Sequence, residues 1–277
     1  MKVLWLSNAP WAPTGYGNQT RLFVPRLRKL GHDMAISAFY GLAGGVLHWD
    51  GIPVYPGVFH PYGQDVCSAQ AKNFGADLMI SLIDIWVLLP ENNIHKIPWA
   101  PWFPVDHEPC PQSIVDKAKL ADYPIQFSKF GLKMMQDKGV ECAYVPHGVD
   151  TNIFKPKDRD EARKQLAVSN DRFIAGMVAA NKGNPSRKAF PENIAAFAQF
   201  NKRHPDSLLY IHSHKSERGE MNGVNLPELC KNFGLKEGEN VIFCDPFSLT
   251  LGFPDPYMVN IYNAMDVFLN VSMGEGF

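Results

Sequence analysis

Short apolar runs rich in β-branched and aromatic residues alternate with helix-patterned stretches along the whole chain. No other feature restricts its fold as much. In the first half the strand-like runs cover residues 3–6, 34–38, 78–82, 99–103, 125–127 and 143–145. Helical patterning fits residues 66–74, 112–120 and 129–138, the last closed by Gly139, a natural helix stop. In the second half, strand-like runs at 173–178, 208–211, 241–243 and 267–270 enclose helical patterns at 191–202, 226–233 and 257–264. Strands separated by helices predict an α/β chain with parallel sheets covered on both faces.

At 277 residues the chain exceeds what one hydrophobic core usually serves. A polar, proline-bearing stretch at residues 152–164 marks the expected boundary, with domains at 1–155 and 156–277. Two doubly wound, Rossmann-like domains joined there predict a nucleotide-sized cleft between the carboxyl ends of both sheets.

Composition removes several function classes. Hydrophobic residues make up 45% and charged residues 20%, the balance of a globular protein. A net charge of -1 lacks the basic excess of a nucleic-acid binder. No apolar run reaches the roughly 18 residues of a membrane span, and the N-terminus reads as a buried strand instead of a signal peptide. Five scattered cysteines without Cys-x-x-Cys spacing fit reduced thiols and a cytoplasmic setting. His212-Ser213-His214 places two imidazoles on one face of an extended segment, but without a third ligand no metal site is expected.

Three segments could carry chemistry. The loop from Ser7 to Asn18 holds Gly15, Tyr16 and Gly17, where backbone amides could approach a ligand at a helix start. Its spacing is not Gly-x-Gly-x-x-Gly, and Pro25 implies that the following helix starts late or kinks. An ordinary tight turn is the alternative. Asp106, His107 and Glu108 follow a strand, where they could grip hydroxyls or simply cap a rigid turn. Val145-Pro146-His147-Gly148-Val149-Asp150, continuing to Phe154 and Pro156, reads physically as a strand end, a glycine turn and a proline stop.

That last segment resembles the Pro-Asn-Gly-Val-Asp-x-x-x-Phe-x-Pro junction of retaining GT-B glycosyltransferases, the large family of bacterial mannosyl- and glucosyltransferases, with His147 for the usual asparagine. The resemblance extends over nearly the whole chain. Gly15 to Gly17 lie where the family has its glycine-rich acceptor-side loop, and His107 where it has a histidine near the donor sugar. Lys182 and Lys188 match a basic pair six positions apart that meets the donor diphosphate, with lysine where arginine is usual and Arg187 available for that role. Ser272-Met273-Gly274-Glu275-Gly276-Phe277 is similar to the family's Ser-x-x-Glu-Gly-Phe-Gly. There the glutamate, here Glu275, faces the donor sugar.

The resemblance implies a metal-independent transferase that needs no cofactor and takes a nucleoside-diphosphate sugar as donor. His107, Lys188 and Glu275 would act at the donor sugar. Lys182, Arg187, Lys188 and Gly274 to Phe277 would hold the donor, while Gly15, Tyr16, Gly17 and Asp106 would serve the acceptor. The acceptor would be a carbohydrate, a lipid-linked sugar or another hydroxyl compound. Trp49, Tyr55 and Tyr62 could stack on sugar rings or pack ordinarily. Arg21, Arg26, Arg28 and Lys29 could touch an anionic membrane weakly or form a solvated helix face. The family's second glutamate should fall eight positions beyond Glu275, so the expectation is a truncated second domain with an exposed sheet edge. The competing reading is a fragment or degenerate homologue that binds a nucleotide or sugar without transfer. An oxidoreductase lacks its glycine fingerprint, and an epimerase of similar build differs around the histidine and terminal glutamate segments.

Overall fold

A computed structural model describes residues 1–216 and 222–276. The described chain forms two compact units, residues 1–149 with Gly276, and residues 150–275.

The first unit runs β1 (Lys2–Asn8), α1 (Gly15–Lys29), β2 (Asp33–Tyr40), β3 (Leu47–Trp49), β4 (Ile52–Pro56), α2 (Cys67–Phe74) and β5 (Leu78–Leu82). It continues through β6 (Trp99–Phe103), α3 (Gln112–Ala118), β7 (Ile125–Gln126), α4 (Lys129–Gln136) and β8 (Ala143–Tyr144). Its sheet has the order β3-β4-β2-β1-β5-β6-β7-β8, parallel throughout except for β3 against β4. Strand β1 is apolar on both faces because both are covered. Leu4 and Leu6 join Met79, Phe103, Val115 and Met135 in one core cluster, while Val3 and Trp5 join Ile36, Val54 and Trp102 in another. The indole of Trp5 donates to Thr20 of α1 at 3.0 Å, so its polar edge is satisfied inside the core.

Helix α1 does not start late. It begins at Gly15, where the Thr14 side chain caps it by accepting from the Gly17 amide, and runs through the proline to Lys29. Pro25 gives the Arg21 carbonyl no N–H; the helix tolerates this because Val24, Gln19 and Thr20 are buried against the sheet. The segment around His147 is tied to the same helix. Gln19 donates to the Gly148 carbonyl at 3.0 Å and accepts from its amide at 2.9 Å. His147 packs between the rings of Trp102 and Phe127, with centroids at 4.8 and 4.0 Å. Burial there lowers its pKa to about 4.

The second unit runs α5 (Arg159–Gln165), β9 (Ile174–Val178), α6 (Phe190–Arg203), β10 (Leu208–His212), α7 (Leu226–Asn232), β11 (Val241–Phe243), α8 (Pro246–Leu251), α9 (Asp255–Ala264) and β12 (Val267–Phe268). Its described strands pair in parallel in the order β11-β10-β9-β12. Phe190, Ile194 and Phe197 of α6 pack with Leu209, Ile211 and Val241 on one face. At the base of the sheet, Arg163 is 1% exposed and gives Nη2 to Asp266 at 2.5 Å. Its remaining donors reach the carbonyls of Ala264, Asn170 and Arg172. Asp266 also accepts from the Ile174 amide at 2.8 Å and from Arg159 at 2.9 Å, which pins β12 to β9. Phe154 meets Tyr262, and Asn263 bonds to the backbone of Lys155 and Lys157, so the junction segment is seated on α9.

Candidate functional site

Doubly wound sheets bind ligands outside the carboxyl ends of their strands, where the strand order reverses. In the second unit the reversal falls between β9 and β12. The loop after β9 carries Lys182, Arg187 and Lys188, and the segment after β12 carries Gly274 and Glu275. Lys188 donates to Oε1 of Glu275, Arg187 pairs with Oε2 at 3.1 Å, and Arg187 also donates to the Gly274 carbonyl. The Met273 amide donates to the Arg187 carbonyl at 2.8 Å, so backbone as well as side chains joins the two segments.

Electrostatics follow from this clustering. Burial pushes the Glu275 carboxyl up. Hydrogen bonds from Lys188 and Ser272, with the charges of Lys188 and Arg187, outweigh burial and hold it below the usual glutamate range. Immediately after Lys188, Ala189 adopts φ 53 and ψ 40 in the left-handed region as α6 begins. A non-glycine residue there is strained, and such strain gathers where surrounding contacts impose a geometry. Buried Asn193 supplies some of those contacts, donating to the Ala189 carbonyl at 2.8 Å and reaching Val271 at 3.4 Å. Two cations beside the start of α6 form a setting suited to an anion.

Not every expected donor residue gathers here. Lys182 stands exposed on the loop and forms no ion pair among the described residues. Gly276 follows Glu275 directly, and Phe277 lies outside the described residues. Sequence reasoning missed Asn193 and Ser272 as supports of the cluster. Asn193 was detectable as a polar residue on the apolar stripe of a helix. His212 is a buried partner of the Tyr210 hydroxyl at 3.0 Å and of the Phe253 ring, with its pKa lowered to about 4 by burial.

In the first unit the order reverses between β1 and β5. Tyr16, at the start of α1, donates from its hydroxyl to Asp84 after β5 at 3.3 Å, across that reversal. The two glycines beside it differ. A Cβ on Gly17 would collide with the Ala12 carbonyl and stand 3.0 Å from that of Ala9, whereas one on Gly15 would meet nothing within 4 Å. Gly17 is therefore required by the turn, and Gly15 leaves open space beside backbone amides. After β6, His107 is exposed and holds Asp106 through Nδ1 at 2.6 Å, leaving Nε2 for another partner. Trp49, Tyr55 and Tyr62 are partly buried against the core, so packing accounts for them.

A cavity of about 530 Å³ lies elsewhere in the second unit, between the sheet and helices α8 and α9. Leu208, Ile242 and Ile261 help line it, and it contains none of the clustered cations. No helix among the described residues is long and apolar enough to cross a membrane.

No protein-family model matches the sequence, and no curated protein matches it. Solved structures do resemble it. Sucrose-phosphate synthase from Thermosynechococcus elongatus aligns with a TM-score of 0.76 at 17% identity, over 100% of this chain and 77% of that one. HepE from Anabaena, in complex with UDP-glucose, gives 0.64 at 18% identity over 98% and 74%. WaaG, a glycosyltransferase involved in lipopolysaccharide biosynthesis, gives 0.67 at 13% identity over 98% and 75%. At these identities the likeness is one of fold: mostly parallel α/β units of the Rossmann-like, GT-B kind.

Proposed function

We propose that the chain is a glycosyltransferase that moves a sugar from a nucleoside-diphosphate sugar to an acceptor hydroxyl, with retention of configuration and without a metal ion. The observation that carries this reading is the convergence of Lys188 and Arg187 on Glu275 at the reversal of the second sheet. Two cations and the start of α6 match a leaving diphosphate, whose negative charge grows as the glycosidic bond breaks. Stabilising such charge is usually the largest catalytic contribution. Glu275, kept anionic by its partners, then accepts from hydroxyls of the donor sugar and orients it.

In this reading the acceptor hydroxyl attacks from the face that the diphosphate leaves. Its proton passes to the departing phosphate oxygen, so no side chain becomes covalently bonded. On the first unit, we assign the Gly15–Tyr16 backbone, Asp106 and Nε2 of His107 to holding acceptor hydroxyl groups. The UDP-glucose bound by HepE makes UDP-sugars the first donors to try.

The test pairs calorimetric titration of UDP, GDP and ADP with an assay of sugar transfer by the wild-type chain and by Lys188→Ala. One nucleotide should bind, and transfer should fall about 100-fold or more in the variant. Unchanged turnover removes Lys188 from the mechanism, and binding without transfer in the wild type makes the chain a binding module.

A further inference from the structure

The chain has six tryptophans, and the two most exposed, Trp11 at 41% and Trp86 at 56%, lie on one rim of the first unit. Trp5, Trp99 and Trp102 are buried, and Trp49 packs partly against the core. Trp11 follows β1 and Trp86 follows β5, so they flank the reversal of the sheet at the carboxyl ends of neighbouring strands. Tyr40, 52% exposed, closes β2, and Phe59, 92% exposed, follows β4. Exposed aromatic side chains thus belong to four successive strands in the order β4-β2-β1-β5. With strands about 4.8 Å apart, this row and the His107 loop after β6 span roughly 19 Å.

Local bonds position the members of this row. The Trp11 indole donates to the Gly41 carbonyl at 2.6 Å, which binds it to the turn after Tyr40. The Trp86 carbonyl accepts from Lys117 at 2.5 Å and the neighbouring Val87 carbonyl from Gln64 at 2.7 Å. Single exposed apolar residues are ordinary, but an aligned series at the ligand-binding edge of a sheet marks a contact surface.

Charge selects what that surface contacts. The loops at 9–14, 41–46, 57–66, 83–89 and 104–111 contain no lysine or arginine, but they hold Asp65, Asp84, Asp106 and Glu108. Basic side chains begin beyond them in sequence, at Arg21 in the second turn of α1, Lys72 in α2, Lys96 before β6 and Lys117 in α3. Lys117, which reaches the rim from α3, is bonded to the Trp86 carbonyl. Phosphorylated sugars and anionic lipid surfaces meet like charge here. An uncharged sugar chain meets the complement it needs, with its C–H faces on aromatic rings and its hydroxyls donating to carboxylates.

We propose that the acceptor is an uncharged oligosaccharide lying along this rim, over Phe59, Tyr40, Trp11 and Trp86. The assignment rests on the glycosyltransferase reading and names its acceptor class.

The purified chain is titrated with neutral malto-, cello-, manno- and chito-oligosaccharides of increasing length, with glucose 6-phosphate and fructose 6-phosphate, and with phosphatidylglycerol vesicles. UDP, GDP and ADP are titrated in parallel. One neutral series should bind with affinity that rises with chain length. Trp86→Ala and Phe59→Ser should each weaken it about tenfold, with nucleotide affinity and unfolding midpoint unchanged. Should Trp86→Ala unfold, Trp86→Phe retains a ring and should retain glycan binding. Preference for sugar phosphates or vesicles overturns the proposal, as does a chain that binds a nucleotide but no neutral glycan. A chain that binds neither overturns the glycosyltransferase reading itself.

Discussion

Lys188 donates a hydrogen bond to Glu275 across 87 residues of chain, and that pair joins the two loops that flank the reversal of the second sheet. The contact depends on protonation. Glu275 titrates below the usual glutamate range, so its pairing is present above that range and is lost as pH falls through the lowered value. An NMR titration of the Glu275 carboxyl should place its midpoint below that of a free glutamate. Lys188→Ala should move the midpoint upward, and an identical midpoint in both proteins contradicts the assigned cause.

Buried histidines predict a second pH effect, of opposite origin. Burial lowers the pKa of His147 and of His212 to about 4. The unfolded chain protonates both near 6.5, so it binds more protons than the folded one between those values, and stability falls as pH drops through this window. Each histidine should cost about 2 kcal/mol between pH 7 and pH 5, measured by urea unfolding. His212→Phe should make that dependence shallower.

The buried ion pair of the second unit predicts a mutation that affects stability before chemistry. Asp266→Ala leaves Arg163, 1% exposed, without its carboxylate. Removing one partner of such a pair costs about 3–5 kcal/mol, so the urea midpoint should fall sharply. Lys188→Ala, on a partly exposed loop, should stay within about 0.5 kcal/mol of wild type. Equal losses in both variants would show that the Lys188 cluster also supports the fold.

Gly15 and Gly17 should separate in the same way. Gly17→Ala forces a methyl group into the Ala12 carbonyl and should destabilise by about 1–3 kcal/mol. Gly15→Ala meets open space and should leave the melting temperature nearly unchanged while weakening acceptor use. Two neutral melting curves would show that the turn relaxes around Gly17.

Much of this architecture is legible in the residues. Strands β5, β6 and β11 coincide with the apolar runs at 78–82, 99–103 and 241–243, because covered parallel strands are apolar on both faces. Helix α5 gave no such signal. Its inward residues are Ala162 and Arg163, and a buried arginine breaks any hydrophobic period. Strand β3 is short and mostly exposed, so it has no apolar run to detect. Glu275 and Lys188 stand out only through a family resemblance; their contact joins distant loops and has no local trace. Trp49 and Trp86 are alike in sequence, and only tertiary packing half-buries the first and exposes the second.

Arg163 and Asp266 stand near opposite ends of the second unit, 103 residues apart. A ribosome delivers the arginine first. Until Asp266 emerges, the guanidinium has only carbonyl partners, and β9 lacks both its neighbour β12 and the carboxylate that accepts from Ile174. Synthesis therefore leaves one edge of β9 open until this late residue arrives. The order of translation makes the β9–β12 seam wait for Asp266.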